Sequence, residues 1–125
     1  MTLARSSLVI GAIATLAVLV PAWAHHSHQN YIRAEYLQLS GTVREVHWMN
    51  PHAWVYLEVA GVGEPSSVWA LEGGAATTLM RKGWTKDMVE VGDEINVRCH
   101  PLKDGSPGCL LGYIRGDFGE EKEFD

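Results

Sequence analysis

A mainly β domain is the fold the sequence predicts: a small OB-like barrel of five antiparallel strands, with one short helix between strands 3 and 4. Three observations point to it. Short segments of alternating apolar and polar residues are separated by turns rich in Gly, Pro and Asn. They come in the order three strands, one helix-forming stretch, two strands. The first strand also changes phase midway, and the β-bulge this requires would bend the strand enough to help close a small barrel. A chain of 125 residues has room for one domain. An open sheet with the helix packed on one face is the competing architecture.

The elements follow in order. In the first strand Leu37, Leu39, Gly41 and Val43 alternate, and then Val46 and Trp48 take up the opposite phase. Asn50-Pro51 signals a turn. Ala53, Val55, Leu57 and Val59 then form one face of the second strand, opposite His52, Trp54, Tyr56 and Glu58. Gly61 to Pro65 turns the chain into a third strand, Ser67 to Glu72, which Gly73-Gly74 ends. Ala75 to Lys82 is rich in helix formers, and Gly83 stands where a C-terminal cap belongs. Thr85 is placed to cap a further short turn through Val89. The fourth strand carries Ile95, Val97 and Cys99 on its apolar face. Pro101 to Gly108 forms a loop, Cys109 to Arg115 the fifth strand, and the end of the chain reads as a frayed acidic tail.

Ahead of the domain stands an address. Arg5 precedes the apolar run Leu8 to Val20, followed by Pro21 and Ala22-Trp23-Ala24, the three parts of a secretory signal peptide. The run is too short for a membrane span of about 20 residues. An uncleaved anchor is the rival reading. The expected organisation is a signal peptide (1–24), a His-rich N-terminal arm (25–35), the barrel domain (36–118) and an acidic tail (119–125), with periplasmic or secreted localisation and no stable membrane insertion after cleavage. Ten Lys and Arg against 15 Asp and Glu give a net charge of −5, which argues against nucleic acid as a partner.

Export to an oxidising compartment changes how the cysteines read. Cys99 and Cys109 flank the loop of the last hairpin, so a disulfide across it is reasonable, with two free thiols as the alternative. Closing so short a loop stabilises by about 2–3 kcal/mol in the chain-entropy model. The pair lacks the Cys-x-x-Cys spacing of redox sites.

Two constellations carry chemistry. Cleavage after Ala24 would start the chain at His25-His26-Ser27-His28. The α-amine and ring of an N-terminal His form a chelating pair, and a third imidazole completes a nitrogen set that suits copper. His26, His28 and, after folding, His52, His47 or His100 are the candidates for that third position. The plainer explanation is a polar leader that only follows the cleavage site. The second constellation, His47 to Trp54, concentrates two His, Met49 and two Trp at one end of the barrel. There His52 is the strongest candidate ligand, His47 and Met49 are additional ones, and Glu72 could orient an imidazole as a supporting partner. Trp54, Tyr56 and Trp69 share a phase expected to face away from the core, which would make an aromatic contact strip. Packing under the arm or the helix is the commoner fate of such rings.

The motifs also occur in a recognisable order. Ala24-His25-His26-Ser27 leads to Gly41-Thr42-Val43, then Trp-x-Asn-Pro-His (Trp48 to His52) and Trp-x-x-Glu (Trp69 to Glu72). Leu-x-x-x-Gly-Trp (Leu79 to Trp84), Val91-Gly92-Asp93 and Pro-x-x-Asp-Gly-x-x-Gly (Pro101 to Gly108) follow. This pattern resembles the domain-of-unknown-function family 6152 of small exported bacterial proteins, across nearly the whole mature chain. The resemblance implies no activity. Two departures stand out: His28 follows Ser27 where Phe is the more familiar residue, and the two cysteines look particular to this chain.

No Gly-x-Ser-x-Gly elbow, phosphate loop, His-Glu-x-x-His motif or paired-carboxylate pattern is present. The sequence therefore points to a binding protein ahead of an enzyme, with oxidative chemistry at a copper held by the N-terminal His as a third reading. It would hold copper through the processed N-terminal His or, alternatively, recognise a small molecule, glycan or partner protein through its aromatic face.

Overall fold

The computed structural model describes residues 27–125. The expected signal peptide lies outside the described residues, as do His25 and His26. A single 3-10 turn, Ser27–Asn30, leads into β1 (Leu37–His47), β2 (Trp54–Val59) and β3 (Ser67–Glu72). The helix α1 (Ala76–Arg81), β4 (Glu94–Pro101), β5 (Gly108–Arg115) and β6 (Lys122–Glu123) follow. Among the described residues no helix is long and apolar enough to cross a membrane.

The strands run in the order β3-β2-β1-β4-β5-β6, and β3 also pairs with β5, which closes five strands into a barrel and leaves β6 as an extra strand. The expectation of a wholly antiparallel barrel fails at that closing seam, because Ala70, Leu71 and Glu72 pair in parallel with Gly108, Cys109 and Leu110. The reason is parity. A closed ring with an odd number of strands cannot alternate direction all the way round, so one seam must be parallel.

The phase change in β1 is a real irregularity: its register against β2 shifts between Val43 and Glu45. Arg44 is thereby left out of the ladder, where it pairs with Glu58 on the surface. The inward residues form one core that includes Val43, Val55, Leu57, Leu71, Leu79, Val97 and Ile114. Each such aliphatic side chain contributes about 1.5–3 kcal/mol by leaving water. The sulfurs of Cys99 and Cys109 lie at disulfide distance within this core, with Cα atoms 5.6 Å apart. α1 ends as predicted at Gly83, whose φ of +88° a residue with a side chain rarely adopts. The segment after it, Thr85 to Val89, is a turn without helix.

The acidic end of the chain is not frayed. Lys122 and Glu123 pair with β5, and Phe124 is 1% exposed. Its ring meets Trp84 edge-on at 4.9 Å, and Trp84 Nε1 donates to the Glu123 carbonyl at 2.6 Å. A lone apolar residue among charges carries no periodic signal, which is why the pattern does not reveal it.

Trp69 also departs from expectation. It is directly opposite Leu57 across the β2–β3 ladder, so its ring shares the core face and packs against the core. The outward row is instead Trp54 opposite Glu72 and Tyr56 opposite Ala70.

Candidate functional site

By its phase in β3, Glu72 points away from the core, since Leu71 before it points in. An outward carboxylate at a strand end should be solvated, yet Glu72 is only 4% exposed. The arm before β1 covers it. Ile32 N donates to the Pro101 carbonyl at 2.9 Å, Lys103 N donates to the Asn30 carbonyl at 2.9 Å, and Tyr31 bridges to Leu102. These bonds lay residues 28–36 across the outer face at the β5 hairpin.

Tyr31 is the residue that turns this cover into a site. Its ring is 6% exposed, and its hydroxyl donates to Glu72 Oε2 at 2.6 Å. Burial, then the hydrogen bond to Glu72 and that carboxylate's charge, hold the phenol well above its usual range. It therefore stays protonated and keeps the proton it donates to Glu72. That fixes one oxygen of Glu72 and leaves Oε1 directed at His52, whose Nδ1 is 3.5 Å away.

His52 is placed by the β1–β2 turn and by the glycines that end β3. Asn50 Oδ1 accepts from the Thr77 amide and hydroxyl, both at 3.2 Å, tying the turn to the start of α1. Gly73 N donates to the Ala53 carbonyl, and Ala53 N to the Gly74 carbonyl, each at 2.8 Å. This reciprocal pair holds the start of β2 against the end of β3, so His52 and Glu72 sit side by side. Position 73 has to be Gly, since a Cβ there would lie 2.5 Å from the Phe124 ring. The Gly73 carbonyl, 3.3 Å from His52 Nδ1, is a further partner for that nitrogen.

His28 comes from the arm, and its ring centroid lies 6.2 Å from that of His52. One ligand atom each from His28, His52 and Glu72 lie within 4.8 Å of one another. Ligands around an ion at bond lengths of about 2.0–2.2 Å stand roughly 3–4 Å apart. Small rotations of two half-buried imidazoles would close that difference, whereas Glu72 is held in place. Two neutral imidazoles and one carboxylate form a donor set for a divalent transition metal and leave it a net charge of +1.

The other sequence candidates stand apart from this cluster. His47 pairs with Glu45 and packs 5.2 Å from Tyr56. Met49 is 48% exposed, and what it contributes is its carbonyl, which accepts from Ala76 N at 3.1 Å. His100 is structural: its Nδ1 lies 2.7 Å from the Glu35 carbonyl and its ring 4.3 Å from Tyr36. Trp48 fills the barrel end beside Phe124. Trp54 borders the cluster as the cross-strand neighbour of both His47 and Glu72. Sequence reasoning missed Tyr31. The available signal was Tyr31-Ile32, an apolar pair in an otherwise polar arm.

Fold and site together define a small closed β-barrel whose N-terminal arm covers a His–His–Glu cluster on the outer face. The chain belongs to the family of unknown function DUF6152, whose model matches residues 12–111. That match includes His28, His52 and Glu72, and two of the motifs in the sequence pattern end on His52 and Glu72. No curated protein and no solved structure matches the chain.

Proposed function

We propose that this chain is an exported protein that binds a divalent transition metal, copper first among them, through His28, His52 and Glu72. The observation that carries the reading is the convergence of these three side chains from the arm, the β1–β2 turn and the end of β3. The burial of Glu72 beneath Tyr31 supports it. A carboxylate kept from water is costly unless a positive partner compensates it, and a bound cation would do so. Among common divalent ions, Cu(II) binds nitrogen and oxygen donors most tightly.

The barrel is of OB type on this reading, since the closed order β1-β2-β3-β5-β4 matches that architecture. Cleavage after Ala24 would leave His25 three residues before His28, within about 11 Å along an extended chain. The new amine and the rings of His25 and His26 could then add nitrogen donors. The protein would act in the periplasm or outside the cell. Recognition of a small molecule, glycan or protein through an aromatic face has less support, because Trp69 is turned inward and only Trp54 and Tyr56 remain on the outer face.

Calorimetric titration of Cu(II) and Zn(II) into the chain begun at His25 tests the proposal. One ion should bind per chain, with affinity falling at least tenfold in His52→Ala and in Glu72→Gln and staying unchanged in His47→Ala. Equal affinity in all four proteins would overturn it.

A further inference from the structure

Beside the cluster the arm borders an open hollow of about 550 Å³, lined by His28, Tyr31, Ile32, Arg33 and Lys103 among others. Its size falls in the range of small-molecule sites. Two cations line it in a chain of net charge −5. Among the described residues the ion pairs of Lys and Arg involve Arg44, Lys82 and Arg98, so Arg33 and Lys103 have no carboxylate within 4.0 Å. What Arg33 does have is a contact of 3.4 Å from Nη1 to His28 Nδ1.

That contact cannot survive metal binding. A guanidinium only donates, so His28 Nδ1 must be the acceptor and the ring proton must sit on Nε2. A metal that takes Nδ1 uses the lone pair Arg33 was bonded to. A metal that takes Nε2 moves the proton to Nδ1, which then faces Arg33 as donor against donor. Either way ligation releases the guanidinium beside an ion that still carries net positive charge and needs further ligands on its open side. An anion in the hollow answers both needs at once, and a planar carboxylate fits the fork of an Arg. Tyr31 and Ile32 supply an apolar wall for a short hydrocarbon tail.

We propose that the hollow binds a small organic carboxylate as co-ligand of the metal, held by Arg33 and Lys103, with Arg33 changing partner from His28 to the anion when the metal arrives. The inference rests on the metal reading above. Metal and anion then bind cooperatively, each raising the affinity of the other by the same factor.

Azide is the probe on the full, untagged chain loaded with Cu(II), because its charge-transfer band reports an anion on the metal itself. Azide should bind at least fivefold more weakly to the Arg33→Gln/Lys103→Gln variant than to the wild type. Without added anions the variant should bind Cu(II) at least as tightly as the wild type, since no Arg33 contact to His28 has to break, and unfolding should be unchanged. Propanoate should displace azide from the wild type at lower concentration than phosphate does. Equal azide affinity in the two proteins would overturn the anion site while leaving the metal site intact. Loss of Cu(II) binding in the variant would overturn it too, by assigning Arg33 to the positioning of His28. Stronger displacement by phosphate would overturn the carboxylate assignment, and failure of the wild type to bind Cu(II) would overturn both readings.

Discussion

Tyr31→Phe removes one oxygen and tests whether the arm is held by chemistry or only by packing. The ring would keep its buried place, since Phe fills nearly the same volume, Tyr31 is 6% exposed and the backbone bridge to Leu102 is untouched. What is lost is the 2.6 Å hydrogen bond to Glu72 Oε2. A hydrogen bond to a charged group is worth about 1.5–3 kcal/mol, and Glu72 would remain buried without the one hydroxyl that donates to it. For a domain near 100 residues, 1 kcal/mol moves Tm by about 4–8 °C, so the variant should melt roughly 6–24 °C below the wild type. Urea unfolding at pH 7 is the assay, with an unchanged slope showing that the folded state is as compact as before. Combined with Glu72→Gln, the loss should be clearly less than additive, because each change disables the same pair. A variant within 0.5 kcal/mol of the wild type would refute the claim that this bond ties the arm to the barrel.

Other outcomes follow from the same structure. Reducing the Cys99–Cys109 bridge, or replacing both residues with Ala, should cost at least about 2–3 kcal/mol in urea unfolding, and no change would mean the bridge constrains nothing. Phe124→Ala should cost about 3–5 kcal/mol as a buried aromatic deletion, whereas a frayed tail would tolerate it freely. Arg44 beside Glu58, the Ser106 hydroxyl and amide beside Asp104, and Arg98 beside Glu121 hold those three carboxyls below their usual values. Groups with depressed values add stability that is present above about pH 4.5 and lost as pH falls through the lowered values. Tm should therefore decline on acidification, and less steeply in Glu121→Gln, while parallel profiles would contradict the Arg98–Glu121 pairing.

Most of the barrel was legible because its signals are local. Alternation in β2 and β4 marks buried faces, the phase slip in β1 marks the bulge, and Gly83 marks the helix end. The facts that needed three dimensions were the non-local ones. The parallel β3–β5 seam joins segments far apart in sequence, although counting five strands in a ring already requires one such seam. The face of Trp69 is not legible because β3 carries apolar residues in both phases, Trp69 and Leu71 in one and Val68 and Ala70 in the other, so alternation alone does not say which side meets the core. The site was legible in part. His28, His52 and Glu72 each stood out as candidates, but only the docking of the arm decides that these three meet while His47 and Met49 stay apart. The apolar pair Tyr31-Ile32 marks where the arm docks, but nothing local links Tyr31 to a carboxylate 41 positions away.

The most direct measurement is EPR of the chain begun at His25, loaded with one equivalent of Cu(II), beside His28→Ala, His52→Ala and Glu72→Gln. A form carrying one extra Ala before His25 completes the series. The account predicts a single nitrogen-rich axial signal that changes in each of the three site variants. The extended form should lose only what the amine of His25 contributes. Identical spectra for the wild type and the three site variants would contradict it, because the copper would then be held somewhere other than between the arm and the barrel.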